Sequence, residues 1–169
     1  MMKEFPNTFE TNHFQFVNYT LLSLEDSKKI WEARNNPEIS KYMVNTDFIP
    51  LNDHFRYVES LNSRYDRIYY GVYLLDNGTM IGSQGVNPIN QDGTGESGLY
   101  LFPEAQGKGY GKLMKSEFIK YIFDNDILHT ITEKVKIDNP RNQQLNLRLG
   151  FTKVGEDDGY VHFELKKNK

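Results

Sequence analysis

The most chemically pointed stretch of the sequence is Gln106-Gly107-Lys108-Gly109-Tyr110-Gly111, which sets glycine at alternate positions just after an apolar run that stops at Pro103. Glycine opens backbone torsions closed to other residues and lets main-chain N–H groups come close to a ligand. If a helix starts here, its unpaired N–H groups and its dipole favour a diphosphate at this point. Two well-known phosphate loops do not fit. A P-loop would need Ser or Thr after Gly111-Lys112, where Leu113 stands, and a dinucleotide fingerprint would need its third glycine at Lys112. A tight strand-to-helix turn with no ligand would use the same residues, so the glycines alone leave both readings open.

The surrounding elements have to present that turn. The run Ser97 to Phe102 reads as a strand leading straight into it, and from Tyr110 onward Leu113, Met114, Phe118, Tyr121 and Ile122 mark one side of a helix, with Lys112, Lys115 and Lys120 elsewhere around it. Upstream, Phe14 to Thr20 reads as a first strand in an edge position. Ser23 followed by Asp26 is a helix-start signal for a segment ending near Asn35-Asn36-Pro37, and Leu51, Phe55, Val58 and Leu61 predict a second helix after Pro50. Tyr69 to Leu75 and Met80 to Val86 flank Asn77-Gly78, a strong hairpin signal, and a Gly-rich turn follows around Gln91 to Gly95. Downstream, Ile131, Glu133, Val135 and Ile137 alternate with Thr132, Lys134 and Lys136 as a strand with one solvated face. Asn139-Pro140 opens a last helix, Leu149-Gly150-Phe151 closes it, and a hairpin turning at Asp157-Asp158-Gly159 completes the chain. The order is strand, two helices, three strands, helix, strand, helix, two strands, an α/β mixed sheet with helices packed on it.

Two separated motifs in that order resemble the GNAT superfamily of N-acetyltransferases. Gln106, Gly109 and Gly111 match the family's Gln/Arg-x-x-Gly-x-Gly/Ala turn, and Asn139 with Leu149-Gly150-Phe151 matches its later asparagine and helix-closing signature. The likeness is clear over roughly residues 80 to 155, and the element order extends it to the whole chain. It implies a single domain over 1–169 with a central, mostly antiparallel sheet, a splayed parallel strand pair and flanking helices. It also implies acetyl-CoA as cosubstrate, held by Leu99, Leu101, Gln106, Gly107, Lys108, Gly109, Tyr110, Gly111, Asn139 and Asn142, with the pantetheine arm pairing along the strand before the turn.

The resemblance further implies a direct attack of an amine on the thioester, which needs the amine neutral although an alkylamine has a pKa of about 10.4. The family often places a carboxylate where Glu96 stands, and strand alternation puts Glu96 and Tyr100 on one face and Ser97, Leu99 and Leu101 on the other. Glu96 is the candidate base; a solvated strand-end carboxylate is the competing reading. Many members carry a proton-donating tyrosine four residues before the glycine of Leu-Gly-Phe, where this chain has Asn146, a residue unable to act as a comparable acid. Asn146 is retained as a catalytic candidate by position, and Asn142, one turn earlier, is a candidate to orient the thioester. Trp31, Arg34, Asn35 and Tyr42 fall where the family builds its acceptor pocket; Arg34 suits a phosphate or carboxylate, or a neighbouring acid. The run Trp31 to Pro37, with Tyr42-Met43 and His54-Phe55, is similar to N-acetyltransferases of nucleotide-linked amino sugars, although His54 itself reads as structural or solvated, with contact to substrate as the competing reading.

Composition narrows the field. The formal charge of −3, from 20 basic and 23 acidic residues mixed along the chain, offers no basic face for nucleic acid. With no cysteine there is no thiol nucleophile to carry an acetyl group, and the dispersed His13, His54, His129 and His162 suggest no metal site. No apolar run reaches the roughly 18 residues a membrane span needs, and Met1 to Thr20 has neither a signal-peptide core nor transit character, so a cytoplasmic location is expected. The partner that the resemblance implies is a small-molecule amine, an amino sugar first, a polyamine or a protein N-terminus next. A non-catalytic acyl-CoA-binding sensor competes because of Asn146. The terminal hairpin leaves a homodimer plausible.

Overall fold

In the computed structural model, which describes residues 3–168, the strands form one eight-stranded sheet in the order β1-β2-β3-β4-β5-β6-β8-β7. Met1, Met2 and Lys169, part of the domain expected over 1–169, lie outside the described residues. The strands are β1 (Thr8–Glu10), β2 (Phe14–Asn18), β3 (Ile68–Leu74), β4 (Met80–Ile89), β5 (Thr94–Leu101), β6 (Thr130–Lys136), β7 (Thr152–Asp157) and β8 (Tyr160–Lys166). The helices are α1 (Leu24–Asn35), α2 (Pro37–Ser40), α3 (Leu51–Ser60), α4 (Tyr110–Asp124) and α5 (Pro140–Arg148).

Local chemistry fixes most boundaries. Ser23 Oγ accepts from the Asp26 amide at 3.1 Å and starts α1, and Asn139 Oδ1 accepts from the Asn142 amide at 3.3 Å ahead of α5. The β3–β4 hairpin turns through Gly78 at φ 71°, as the Asn-Gly pair predicts. The terminal hairpin pairs β7 with β8 and puts β7 at the sheet edge, with most of its residues exposed.

Each sheet face carries its own core. Against Phe118 and Ile122 of α4 pack Phe9, Phe14, Phe16, Tyr70 and Val72, with Phe9 and Phe16 stacked at 4.5 Å. On the other face Tyr19, Ile30, Ala33, Ile39, Leu61 and Phe102 form the core beneath α1, α2 and the turn after α3. His54 belongs to this second layer: Ser27 Oγ and the Ser27 carbonyl both lie 3.0 Å from its Nε2. Burial lowers the His54 pKa from its ordinary 6.5, with the Ser27 carbonyl pulling the other way. A pKa depressed in the fold means stability that is present above the unfolded value and lost as pH falls. We therefore expect the thermal midpoint to drop between about pH 7 and pH 5, and His54→Gln to flatten that slope, as a calorimetric pH series would show.

The structure departs from the sequence expectations in several places. Phe14–Asn18 is not at the edge, because Thr8–Glu10 pairs outside it, a strand too short to show periodicity. The strand before the glycine turn begins at Thr94, not Ser97. Ile137 falls beyond the end of β6 and is exposed, whereas Lys115, expected off the apolar side of its helix, is 4% exposed.

Candidate active site

The sheet opens at one place. β5 and β6, its one parallel pair, are in register only at Thr94↔Thr130, Gly95↔Ile131 and Glu96↔Thr132. Beyond Glu96, β5 continues to Leu101 paired with β4 alone, so its edge toward β6 is free for another extended chain. The fork starts at Ser97 and Glu133, and what surrounds it decides the chemistry available there.

Past Leu101 the chain makes one short helical turn, Pro103–Ala105, and enters the glycine segment. Gln106 Nε2 donates to the Leu101 carbonyl at 3.1 Å and ties the turn to the strand end. Gly107 and Gly109 adopt φ of 76° and 83°, and Gly109 is the N-cap of α4 with no side chain capping it. Among the described residues none accepts from the amides of Gly107 to Lys112. That leaves an exposed row of donors at the positive end of a 15-residue helix, the arrangement a diphosphate requires. Gly111 differs from the sequence expectation, since its φ is not positive and a Cβ there would make only an ordinary contact with Leu101 Cδ1 at 3.6 Å, so neither torsion nor space requires glycine at this position. Lys108 and Tyr110 flank the turn, exposed and half-buried, and Leu99 and Leu101 line the α4 side of the free strand, half-buried. Gly109→Ala forces a left-handed Cβ, at about 1–2 kcal/mol, and relaxing that strain would rotate the next amides. Its acetyl-CoA Kd, by calorimetry, is expected to rise about tenfold, with the thermal midpoint reporting any loss of fold.

The two faces of the fork differ in character. Toward α1 and α3 stand Glu96 and Tyr100, on the shared face that alternation predicts. Glu96 is half-buried, and desolvation raises its pKa from 4.5, while the charges of Lys134 and His162 oppose the shift. Tyr100 is half-buried, and desolvation raises its phenol pKa too, offset by the Tyr19 and Ser83 hydroxyls and the Arg34 guanidinium. Tyr19 Oη and Ser83 Oγ are 2.5 Å apart, Asn87 Nδ2 donates to Tyr69 Oη at 2.9 Å, and Tyr19 and Tyr69 stack at 5.4 Å. Arg34 Nη2 donates to the Asn45 carbonyl at 2.5 Å, while its Nη1 is buried without a hydrogen-bond partner among the described residues.

The other acceptor-pocket candidates hold a loop. Trp31 Nε1 donates to the Ile49 carbonyl at 2.6 Å, and Asn35 accepts from the Ile49 amide at 2.8 Å and donates to its carbonyl at 2.9 Å. Their polar atoms thus fix the segment 41–50 against α1, leaving the Trp31 ring face as what it can offer a ligand. Tyr42, on that segment, is 49% exposed and lies beside Lys41.

Toward α4 and α5 the fork holds a buried polar cluster whose central pair the sequence did not single out. Lys115 Nζ donates to Glu133 Oε1 at 2.8 Å, to Asn146 Oδ1 at 2.7 Å and to Asn142 Oδ1 at 3.3 Å. Ser97 Oγ donates to Glu133 Oε2 at 3.1 Å, and Asn146 Nδ2 to Glu133 Oε1 at 3.4 Å. Lys115 and Glu133 are each 4% exposed and Asn146 is fully buried, so Asn146 sits at the family's tyrosine position but spends its amide on the pair. The one signal in sequence was Glu133 on the apolar face of an alternating strand.

This architecture has known relatives. Residues 18–152 match the acetyltransferase (GNAT) domain family. Acetyltransferase PseH of Campylobacter jejuni subsp. jejuni strain 81-176 is 30% identical over 151 residues, covering 89% of this chain and 92% of PseH. The uncharacterized N-acetyltransferase p20 of Bacillus licheniformis is 27% identical over 150 residues, covering 86% and 84%. Among solved structures, Campylobacter jejuni PseH in complex with acetyl coenzyme A superposes with a TM-score of 0.74 at 24% identity, covering 92% of this chain and 99% of that one. Spermidine N-acetyltransferase from Vibrio cholerae in complex with CoA and spermine superposes at 0.81 with 19% identity, covering 91% and 95%. With the fork, the uncapped glycine turn and the family match over most of its length, this chain belongs to the GNAT acetyltransferases, enzymes that transfer an acetyl group from acetyl-CoA to an amine.

Proposed function

We propose that the acceptor is the primary amine of an amino sugar, with a nucleotide-linked one favoured. The observation that carries this reading is which groups face the acceptor side of the fork. Tyr19, Tyr69 and Tyr100 phenols, Ser83, Asn87 and the Arg34 guanidinium converge there. Phenol rings and hydroxyls suit a sugar, and the unpartnered Nη1 of Arg34 suits an anionic oxygen such as a phosphate. A polyamine would call for converging carboxylates. Glu25, Glu32, Glu38, Asp47, Asp53 and Glu59 are instead exposed, and Asp26 accepts from Tyr73 Oη at 2.6 Å.

Within this reading the reaction is a direct attack in a ternary complex, consistent with a chain that has no cysteine. The donor supplies an activated thioester. The glycine turn binds its diphosphate, and the free edge of β5 from Ser97 to Leu101 aligns its arm, so that the thioester reaches the fork. Glu96 takes the proton of the attacking amine, directly or through one water; its raised pKa makes it a better proton acceptor than a solvated glutamate. Tyr100, its phenol kept neutral by burial, can donate to the acceptor.

The test is acetyl-CoA-dependent thiol release with nucleotide-linked amino sugars, free amino sugars, spermidine and a peptide with a free N-terminus. The nucleotide-linked sugars are expected to give the highest kcat/KM. A preference for spermidine or the peptide overturns the acceptor assignment, and tight acetyl-CoA binding without turnover on any amine favours a sensor.

A further inference from the structure

The family's tyrosine position is filled by a fully buried asparagine, so the departing sulfur must be stabilised by something else. The fork is where that sulfur has to sit if the acetyl group is to meet an amine beside Glu96, and the α4 side of the fork is occupied by the Lys115 cluster. Lys115 comes from the second turn of α4, Glu133 from β6 one residue past its last pairing with β5, and Asn142 and Asn146 from α5. The cluster therefore gathers all the elements that border the fork on this side.

Its hydrogen-bond arithmetic has one opening. An ammonium has three donors and no acceptor, and Lys115 uses all three, on Glu133, Asn146 and Asn142. Glu133 uses both oxygens, and Asn146 both ends of its amide. Asn142 is different: it is half-buried, its Oδ1 is committed to Lys115, and its Nδ2 donates to no group among the described residues. A flipped Asn142 amide would set its NH2 against the ammonium and present an oxygen to the sulfur, so the lysine charge dictates which end faces the fork. A buried ion pair is itself weak evidence for stability, since apolar replacements of similar volume often fold as well. Its placement against one free amide donor calls for a role in the site.

We propose that Lys115, anchored by Glu133 and Asn146, is a positioning residue that fixes Asn142 with its Nδ2 toward the fork, where this donor stabilises the departing CoA sulfur as a thiolate. The inference rests on the acetyltransferase reading of the fork. In the step, the amine nitrogen forms its bond to the acetyl carbon, the carbon–sulfur bond breaks with its electron pair on sulfur, and the amine proton goes to Glu96. No proton need reach sulfur in that step. An N–H donor to an anion is worth more than one to a neutral acceptor, so the contact strengthens as charge builds and acts on kcat more than on acetyl-CoA binding.

The test follows CoA itself. The thiolate absorbance of CoA bound to the wild-type protein, titrated against pH, is expected to give a thiol pKa below that of free CoA. Asn142→Ala and the charge-free double variant Lys115→Met/Glu133→Gln should both return it toward the free value. Each should also lower kcat by about 10- to 100-fold while leaving the calorimetric acetyl-CoA Kd within a few-fold. In the double variant the glutamine amide can pair with Asn146 and still accept from Ser97, which protects the fold, and a thermal melt checks it. A bound thiol that titrates at or above the free value overturns the proposal, as does a folded double variant with wild-type kcat. If the wild-type protein binds no CoA at all, the reading of the fork falls with it, an outcome distinct from binding with an unshifted thiol.

Discussion

Glu96→Gln is expected to lower kcat by about 100- to 10,000-fold with little change in acetyl-CoA affinity, because it removes the carboxylate proposed as proton acceptor, on the strand face it shares with Tyr100, while keeping its size. The direction of the pH dependence follows from the site. Glu96 accepts a proton only when ionised, so kcat/KM falls as pH drops through its titration. Desolvation raises that titration above the ordinary 4.5, against the opposing charges of Lys134 and His162. The acid limb of the profile should therefore lie at higher pH than a solvated glutamate would give, and it should vanish in the variant along with the rate. Steady-state kinetics across pH with the best acceptor of the panel decides this; a variant that keeps the wild-type acid limb places the proton acceptor elsewhere. The basic limb offers a control, since it reflects groups that the substitution leaves in place.

Legibility from sequence tracks how local the determining physics is. The glycine turn, the Asn77-Gly78 hairpin, the Ser23 cap and the Asn139-Pro140 helix start were all readable because each depends on neighbours within a few positions. The sharing of one strand face by Glu96 and Tyr100 was readable for the same reason, as a period of two. Thr8–Glu10 escaped because three residues carry no periodicity, and its partner strand consequently looked like an edge. The central pair of the buried cluster escaped for a deeper reason. Lys115 and Glu133 lie in different elements, and each is a residue type usually solvated. What inverts that expectation is the parallel pairing of β5 with β6, which stops after Glu96 and leaves Ser97 and Glu133 to be bridged by side chains under α4. Asn146 was legible as a departure from the family pattern, yet its meaning depended on Lys115, a contact between residues 31 positions apart.

That cluster also yields the largest expected effect on stability. Lys115→Met removes the cation from a pair in which both side chains are buried, at 4% and 5% exposure, and leaves the Glu133 carboxylate facing only Ser97 and Asn146. Breaking a buried pair from one side costs about 3–5 kcal/mol, because the remaining charge keeps its desolvation penalty without its partner. For a chain of this length about 2–4 °C of melting temperature is lost per kcal/mol, so the single variant should melt about 6–20 °C below wild type. Removing both charges in Lys115→Met/Glu133→Gln should recover most of that loss, since no ion is left without a partner and the glutamine amide can satisfy both Ser97 and Asn146. Thermal denaturation of the two variants side by side separates the explanations. If the double variant melts as low as the single one, the lysine matters through its packing under α4. If it recovers stability without recovering turnover, the pair is kept for the orientation it imposes on Asn142, because the fold does as well without it.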